Sequence, residues 1–261
     1  MKIAVTGKGG VGKSTLAAGL ALLLARQGGR VLAVDADPDA NLASALGLSP
    51  AEAAKIVPIA EQAALIEART GAKVKQYGQM FKLNPEVADI AANFAVSHGG
   101  VDLLVLGAVD RGGGGCACPE SVLLKALVMN LVLHRQETLI LDMEAGIEHL
   151  GRRTARGVDT MVIVIEPGLR SVDCARKIVR MAGEIGIRSV DIVANKVASP
   201  TEETFVRNAF PEKELLGILP YSEAIRRGDI AGTSVLDNCD PAMLSGLAGI
   251  LGKLEERHAH E

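Results

Sequence analysis

The sequence predicts an α/β fold built on a doubly wound, mostly parallel sheet with helices on both faces, and three observations predict it. Apolar runs of strand length recur along the chain, helical patterns separate them, and a glycine-rich loop joins the first run to the first helical pattern. The runs fall at 3–5, 31–34, 103–106, 139–141, 161–165, 190–194 and 215–219. Most are continuously apolar rather than alternating, the pattern of strands covered on both faces in a parallel sheet. Helical periodicity follows at 15–27, 121–134 and 171–183. Strand, helix and strand in repetition imply right-handed crossovers, and such sheets take ligands at the carboxyl ends of their strands. The segment 49–99 breaks the rhythm: a helix is expected over 50–70, then a mixed polar stretch, and the whole reads as a helical insertion over one edge. No Pro/Ser-rich linker and no internal repeat interrupts the chain, so residues 1–261 are expected to form a single domain. The last apolar pattern, 243–254, predicts a helix docked on the core, because its polar side is short of the Lys and Arg of a membrane-seeking helix.

Composition narrows the function classes. With 261 residues the chain is long enough to bury one large core. Aromatic residues make up 2% and Trp is absent, so the core is built from Ala, Val, Leu and Ile, and a base-binding pocket is expected to lack an aromatic platform. A formal net charge of −3 offers no clustered Lys/Arg excess to displace the counterions of a polyanion, so nucleic acid is not an expected partner. The longest apolar stretch, 16–25, is about half the roughly 20 residues that span a bilayer. No membrane association is therefore expected, and the protein is expected to be cytoplasmic. Its four Cys are too few for a disulfide scaffold, which leaves metal binding or simple burial for each.

The segment Gly7-Lys8-Gly9-Gly10-Val11-Gly12-Lys13-Ser14 fits the pattern G-x-x-x-x-G-K-[ST] between a predicted strand and a predicted helix. This is the signature of a phosphate-loop NTPase. Glycines let the backbone N–H groups from Gly9 through Thr15 converge on the phosphates, and the helix N-terminus adds partial positive charge. Lys13 reaches the β and γ oxygens, and Ser14 ligates magnesium, so ATP with Mg2+ is the expected ligand. Lys8, five residues before Lys13, makes this loop resemble the deviant phosphate loop of a group of dimeric ATPases. That group holds the nitrogenase iron protein, the Min and Par positioning ATPases, the arsenite-pump ATPases and metal-centre maturation ATPases. The resemblance implies a nucleotide-dependent homodimer in which Lys8 crosses to the partner's phosphates.

After the second strand comes Asp35-Ala36-Asp37-Pro38-Asp39-Ala40-Asn41, which sets two carboxylates at a strand's carboxyl end, in the position of a first switch. In the resembling ATPases the aspartate matching Asp37 orients the attacking water, a task that needs hydrogen-bond reach more than a shifted pKa. Asp39 is read as a cap for the next helix. The strand 138–141 runs into Asp142-Met143-Glu144-Ala145-Gly146. There Asp142 fits the acidic group that holds magnesium through its water shell, and Gly146 is placed to offer its N–H to the γ-phosphate. A carboxylate ending a buried strand is costly unless it is paired or faces a cation. Asn195 and Lys196 end another strand, where an amide side chain can both donate to and accept from the edge of adenine. Pro220 and Tyr221, after the last strand, resemble the loop that closes over the base.

Four glycines lead into Cys116-Ala117-Cys118-Pro119 after the strand at 103–106, so both thiols fall at the nucleotide end of the sheet. In extended backbone, residues two apart point the same way. One Cys-x-Cys offers two thiolates, whereas a tetrahedral zinc site takes four ligands; a two-fold dimer supplies the second pair. Four thiolates also suit nickel in a square plane, and the affinity order does not choose between Zn2+ and Ni2+. Cys174 and Cys239 stand alone and are read as packed side chains.

The deviant loop, the Cys116/Cys118 pair and the string Asp142-Met143-Glu144-Ala145-Gly146-Ile147-Glu148-His149-Leu150 together resemble the CooC-type maturation ATPases over essentially the whole chain. That resemblance, not the spacing, implies a nickel enzyme client, either carbon monoxide dehydrogenase or acetyl-CoA synthase, and ATP-driven dimer closure around the shared cysteines. Two alternatives stay open on the residues alone: a Min/Par-type positioning ATPase, and an iron–sulfur cluster carrier using the same cysteines.

Overall fold

In the computed structural model the described residues are 1–74, 76, 78–108, 118–145, 152–210, 214–237 and 239–259. The chain runs through β1 (Lys2–Gly7), α1 (Lys13–Arg26), β2 (Val31–Ala36), α2 (Leu42–Leu46), α3 (Pro50–Ala53), α4 (Ala63–Thr70), α5 (Ile90–Phe94), β3 (Val96–His98) and β4 (Val101–Val105). It continues through α6 (Pro119–His134), β5 (Thr138–Met143), α7 (Arg152–Ala155), β6 (Thr160–Ile165), α8 (Leu169–Ile185), β7 (Val190–Val197), α9 (Pro200–Ala209), β8 (Leu215–Pro220), α10 (Glu223–Ala231) and α11 (Pro241–Ala259). Every apolar run named above lies in or at the end of one of these strands.

The strands form one eight-stranded sheet in the order β3-β4-β2-β5-β1-β6-β7-β8. All neighbours are parallel except β3 and β4, where Val96 lies opposite Leu103 in an antiparallel pair. β3 was not expected, because Val96-Ser97-His98 carries a single apolar residue; it is a short edge strand that the long apolar run of β4 recruits. β1 is central, with β5 on one side and β6 on the other. The chain moves outward from β1 in one direction and later in the other, so the strand order reverses here, which opens a crevice at the carboxyl end of β1.

Alternate residues of each buried strand feed two cores. On one face Ile3, Val5, Ile140 and Val164 pack with Leu16 and Leu20 of α1 and Leu247 and Ile250 of α11. On the other, Ala4, Leu141 and Ile163 pack with Leu123 and Leu127 of α6 and Ile178 of α8. The expected docking helix is thus α11, and it lies so close to the sheet that a Cβ on Gly217 would sit 2.4 Å from Ile250 Cγ1.

The single helix expected over 50–70 is a correction. Ser49 and Glu52 form a reciprocal capping box that starts α3, but α3 lasts four residues. Pro58 then lacks an N–H to donate and disfavours helical backbone at the residue before it, so the chain re-enters helix only through a 3₁₀ turn at Ile59–Glu61 and then α4.

Candidate functional site

The glycine-rich loop spans the gap between β1 and α1 at the crevice. Gly12 is the N-cap of α1, at φ 95, and no side chain caps this end and no acid lies in the first turn. A helix start left in that state attracts an anion through its free N–H groups and its dipole. Gly10 also has positive φ, at 81. Lys8 and Gly9 face solvent, Val11 is buried, and Ser14 and Thr15 are half-buried at the start of the helix.

Two residues from the end of β7 hold this loop from behind. Asn195, itself buried, donates its side-chain N–H to the Val11 carbonyl at 2.9 Å. Its Oδ1 is buried with no partner, which leaves one acceptor of the amide unspent. Lys196 adopts positive φ, 59, and its ammonium donates to the Gly10 carbonyl while lying 3.9 Å from the Glu166 carboxylate.

In front of the loop stand three aspartates. The Lys13 ammonium pairs with the Asp37 carboxylate at 3.1 Å, both largely buried. Asp35 and Asp142 are register partners on the adjacent strands β2 and β5. Asp35 accepts from the N–H of Asp37 at 3.2 Å and of Leu42 at 2.9 Å. Burial nevertheless pushes its pKa up to about 6, with those N–H groups acting against the shift and the Asp37 charge adding to it. Asp142 is fully buried with neither oxygen in a well-formed hydrogen bond. Its pKa is pushed up to about 7, first by burial; the Ser14 hydroxyl and the Lys13 charge pull it down, and the Asp35 and Asp37 charges push it up. A buried carboxylate with no well-formed hydrogen bond, beside the Ser14 hydroxyl and an uncapped helix start, fits a site that would hold a divalent cation next to a bound phosphate. Thr6 Oγ1 donates to the Glu144 carbonyl at 2.6 Å and so ties the exit of β5 to the end of β1.

Of the residues singled out in the sequence, Gly9, Gly10, Val11, Gly12, Lys13, Ser14, Thr15, Asp37, Asp142, Asn195 and Lys196 therefore converge on one loop. Pro220 ends β8 as the register partner of Val197, and the Tyr221 N–H bonds the Val197 carbonyl at 2.9 Å. The Tyr221 hydroxyl is turned to Glu223. Asp39 does not cap α2, which is a correction: its side chain is exposed, and Asp35 takes the N–H of Leu42 at the start of that helix. Sequence reasoning left Asp35 without a task because the two N–H groups it accepts are set by the fold of the turn. Glu166, beside Lys196, carried no sequence signal either.

Cys118 is the N-cap of α6, its Sγ accepting from the Ser121 N–H at 3.4 Å. Burial first, and the neighbouring Glu120 as well, raise its thiol pKa. Cys116 and Gly146 lie outside the described residues. Among the described residues no group of three or more His, Cys, Asp or Glu stands ready to hold a metal ion, and no helix is long and apolar enough to cross a membrane. A cleft of about 390 Å³ between residues 84–89 and α6 contains none of the residues above.

Residues 2–235 match the family model for the CobQ/CobB/MinD/ParA nucleotide binding domain. The chain is similar to the carbon monoxide dehydrogenase accessory protein CooC of Rhodospirillum rubrum, with 46% identity over 98% of this chain and 97% of that protein. It is 42% identical to an uncharacterized ATP-binding protein of Methanocaldococcus jannaschii, over 90% of this chain and 91% of the relative. Among solved structures it is similar to the MinD cell division protein of Aquifex aeolicus, with a TM-score of 0.66, 21% identity and 98% of each chain covered. At that identity the likeness is one of fold.

Proposed function

Because the chain belongs to the CobQ/CobB/MinD/ParA nucleotide-binding family, we propose that it is an ATP-driven maturation factor of the CooC type. Its client would be carbon monoxide dehydrogenase or the related nickel enzyme acetyl-CoA synthase. The observation that carries this reading is the 46% identity to the Rhodospirillum rubrum accessory protein along nearly the whole of both chains. The protein is an ATPase. As a cytoplasmic factor it would act as a homodimer, each protomer binding one ATP.

In this reading the N–H groups of Gly9, Gly10, Val11 and Gly12 and those of the first turn, Lys13, Ser14 and Thr15, cradle the phosphates. Magnesium, when bound, neutralises charge on the phosphate oxygens; Ser14 and Asp142 would hold it, the latter through water. Lys13 now pairs with Asp37. Phosphate oxygens carry more negative charge than one carboxylate, so they draw Lys13 away and free Asp37 to orient the attacking water. Gly146 would offer its N–H to the γ-phosphate. The unspent Oδ1 of Asn195 supports a role as acceptor for the exocyclic amino group of adenine, with Lys196 steadying the loop and Pro220 at the rim of the base pocket. Lys8, exposed at the loop, is free to reach the partner's phosphates. Cys116 and Cys118 of two protomers would together bind one nickel or zinc ion, and hydrolysis, by opening the dimer, would change that site's geometry.

The positioning alternative draws on the shared family and on fold likeness, and α11 turns Met243, Leu247, Ile250, Leu251 and Leu254 into the core rather than toward a membrane. The test is metal content and dimer mass of anaerobically purified protein with and without ATP, comparing wild type with the double variant Cys116→Ser, Cys118→Ser. One nickel or zinc per dimer, lost in the variant, supports the reading. A metal-free wild-type dimer indistinguishable from the variant overturns it, and a brown protein with cluster absorption identifies the iron–sulfur alternative.

A further inference from the structure

Asp35 is completely buried, and nothing in the reading above uses it. Its two carboxyl oxygens divide their work: Oδ1 takes the N–H of Asp37 and Oδ2 takes the N–H of Leu42, five residues further on. The two bonds pin both ends of the turn that carries Asp37 out of β2 and into α2. Inside that turn Ala40 sits at φ 40, a conformation that a non-glycine residue holds only when its surroundings impose it, and the Ala40 N–H closes back on the Asp37 carbonyl at 3.0 Å. Asp37 Oδ1 accepts from the Asp39 N–H at 3.1 Å, which leaves Oδ2 aimed at Lys13. The direction of the Asp37 carboxylate is therefore set through a chain of hydrogen bonds that begins at Asp35.

A carboxylate needed only to start a short helix could sit at the surface, as helix caps commonly do. Here it is fully buried next to Asp142, where burial disfavours its charged form. That cost falls at the one turn that must place an acid against the phosphate loop. We infer that Asp35 is a positioning residue for ATP hydrolysis, holding the Asp37 turn in register with Lys13 through the N–H groups of Asp37 and Leu42. The inference rests on the assignment of Asp37 to the attacking water made above, and its test separates the two.

Steady-state hydrolysis and binding of a non-hydrolysable ATP analogue are compared for Asp35→Asn, Asp37→Asn and the double variant. An amide at position 35 keeps one acceptor but presents a donor to the other N–H, releasing one end of the turn. Since Asp35 touches none of the loop's N–H groups, analogue affinity is expected to stay within about threefold while kcat falls roughly 10- to 100-fold, the scale of a small misplacement of a reacting group. Acting through Asp37, it is expected to add nothing to the loss already caused by Asp37→Asn. An unchanged kcat in Asp35→Asn, or losses that multiply in the double variant, overturns the inference. Wild-type hydrolysis by Asp37→Asn overturns the Asp37 assignment and the inference with it. If Asp35→Asn does not fold, Ala40→Gly decides: it loosens the turn without touching a buried charge, and a lowered kcat at unchanged analogue affinity supports the inference, whereas wild-type kcat overturns it.

Discussion

The side-chain amide of Asn195 fills the space that a Cβ on Gly12 would need: the two would approach to 2.2 Å. A residue of β7 and the N-cap of α1 thus determine each other's identity, and the site depends on both.

Gly12→Ala is expected to weaken ATP binding by more than about tenfold, since the variant must hold φ 95 with a side chain and also displace Asn195 from the Val11 carbonyl. Isothermal titration with an ATP analogue measures it. Adding Asn195→Ala relieves the clash but removes both the bond to the Val11 carbonyl and the proposed adenine acceptor, so the double variant is expected to recover folding stability and not ATP affinity.

Lys8→Ala is expected to leave ATP affinity of the isolated protomer nearly unchanged, because the Lys8 side chain is exposed at the loop rather than packed into it. Dimerisation on ATP addition is expected to be lost, as read by light scattering. A variant that still dimerises fully would remove Lys8 from the subunit interface.

Asp142 links stability to pH. Its folded pKa, about 7, lies above the unfolded value of 3.8, so the folded state holds the proton more tightly. The stability this contributes is present below pH about 4 and is lost as pH rises through about 7. In nucleotide-free protein, Asp142→Asn is therefore expected to raise the melting temperature at pH 8 and to have little effect near pH 4. Thermal unfolding at the two values checks the sign. The same variant is expected to lose magnesium-dependent hydrolysis.

Gly217→Ala places a methyl group 2.4 Å from Ile250 Cγ1 and should force α11 off β8. A loss of about 1–3 kcal/mol is expected, the usual range for overpacking a tight core. Urea unfolding measures it, and Ile250→Ala, which removes Cγ1 and Cδ1, is expected to cost less in the Gly217→Ala background than in wild type.

Much of the sheet was legible because buried parallel strands are written as unbroken apolar runs, and seven of these mark strands of the eight-stranded sheet. β3 escaped because none of its three residues is buried, and an exposed edge strand needs little apolar character. The helix over 50–70 was misread because apolar spacing continues across Pro58 while the hydrogen-bond ladder does not. The place of Asp39 before α2 suggests a helix cap, yet what caps is decided by where the turn aims its N–H groups, and that of Leu42 points inward to Asp35.

By itself, then, the sequence determined the seven parallel strands and the phosphate loop. An anion cradle is made of consecutive backbone N–H groups and one helix start, so its chemistry is local and can be read from eight adjacent residues. Tertiary structure alone decided what surrounds that loop. Asn195 reaches Val11 across 184 positions, and Asp35 meets Asp142 only because β5 inserts between β2 and β1. Strand order arises from how helices of given length pack over the two faces, and apolar periodicity, which records only that a strand is buried, carries no information about its neighbours.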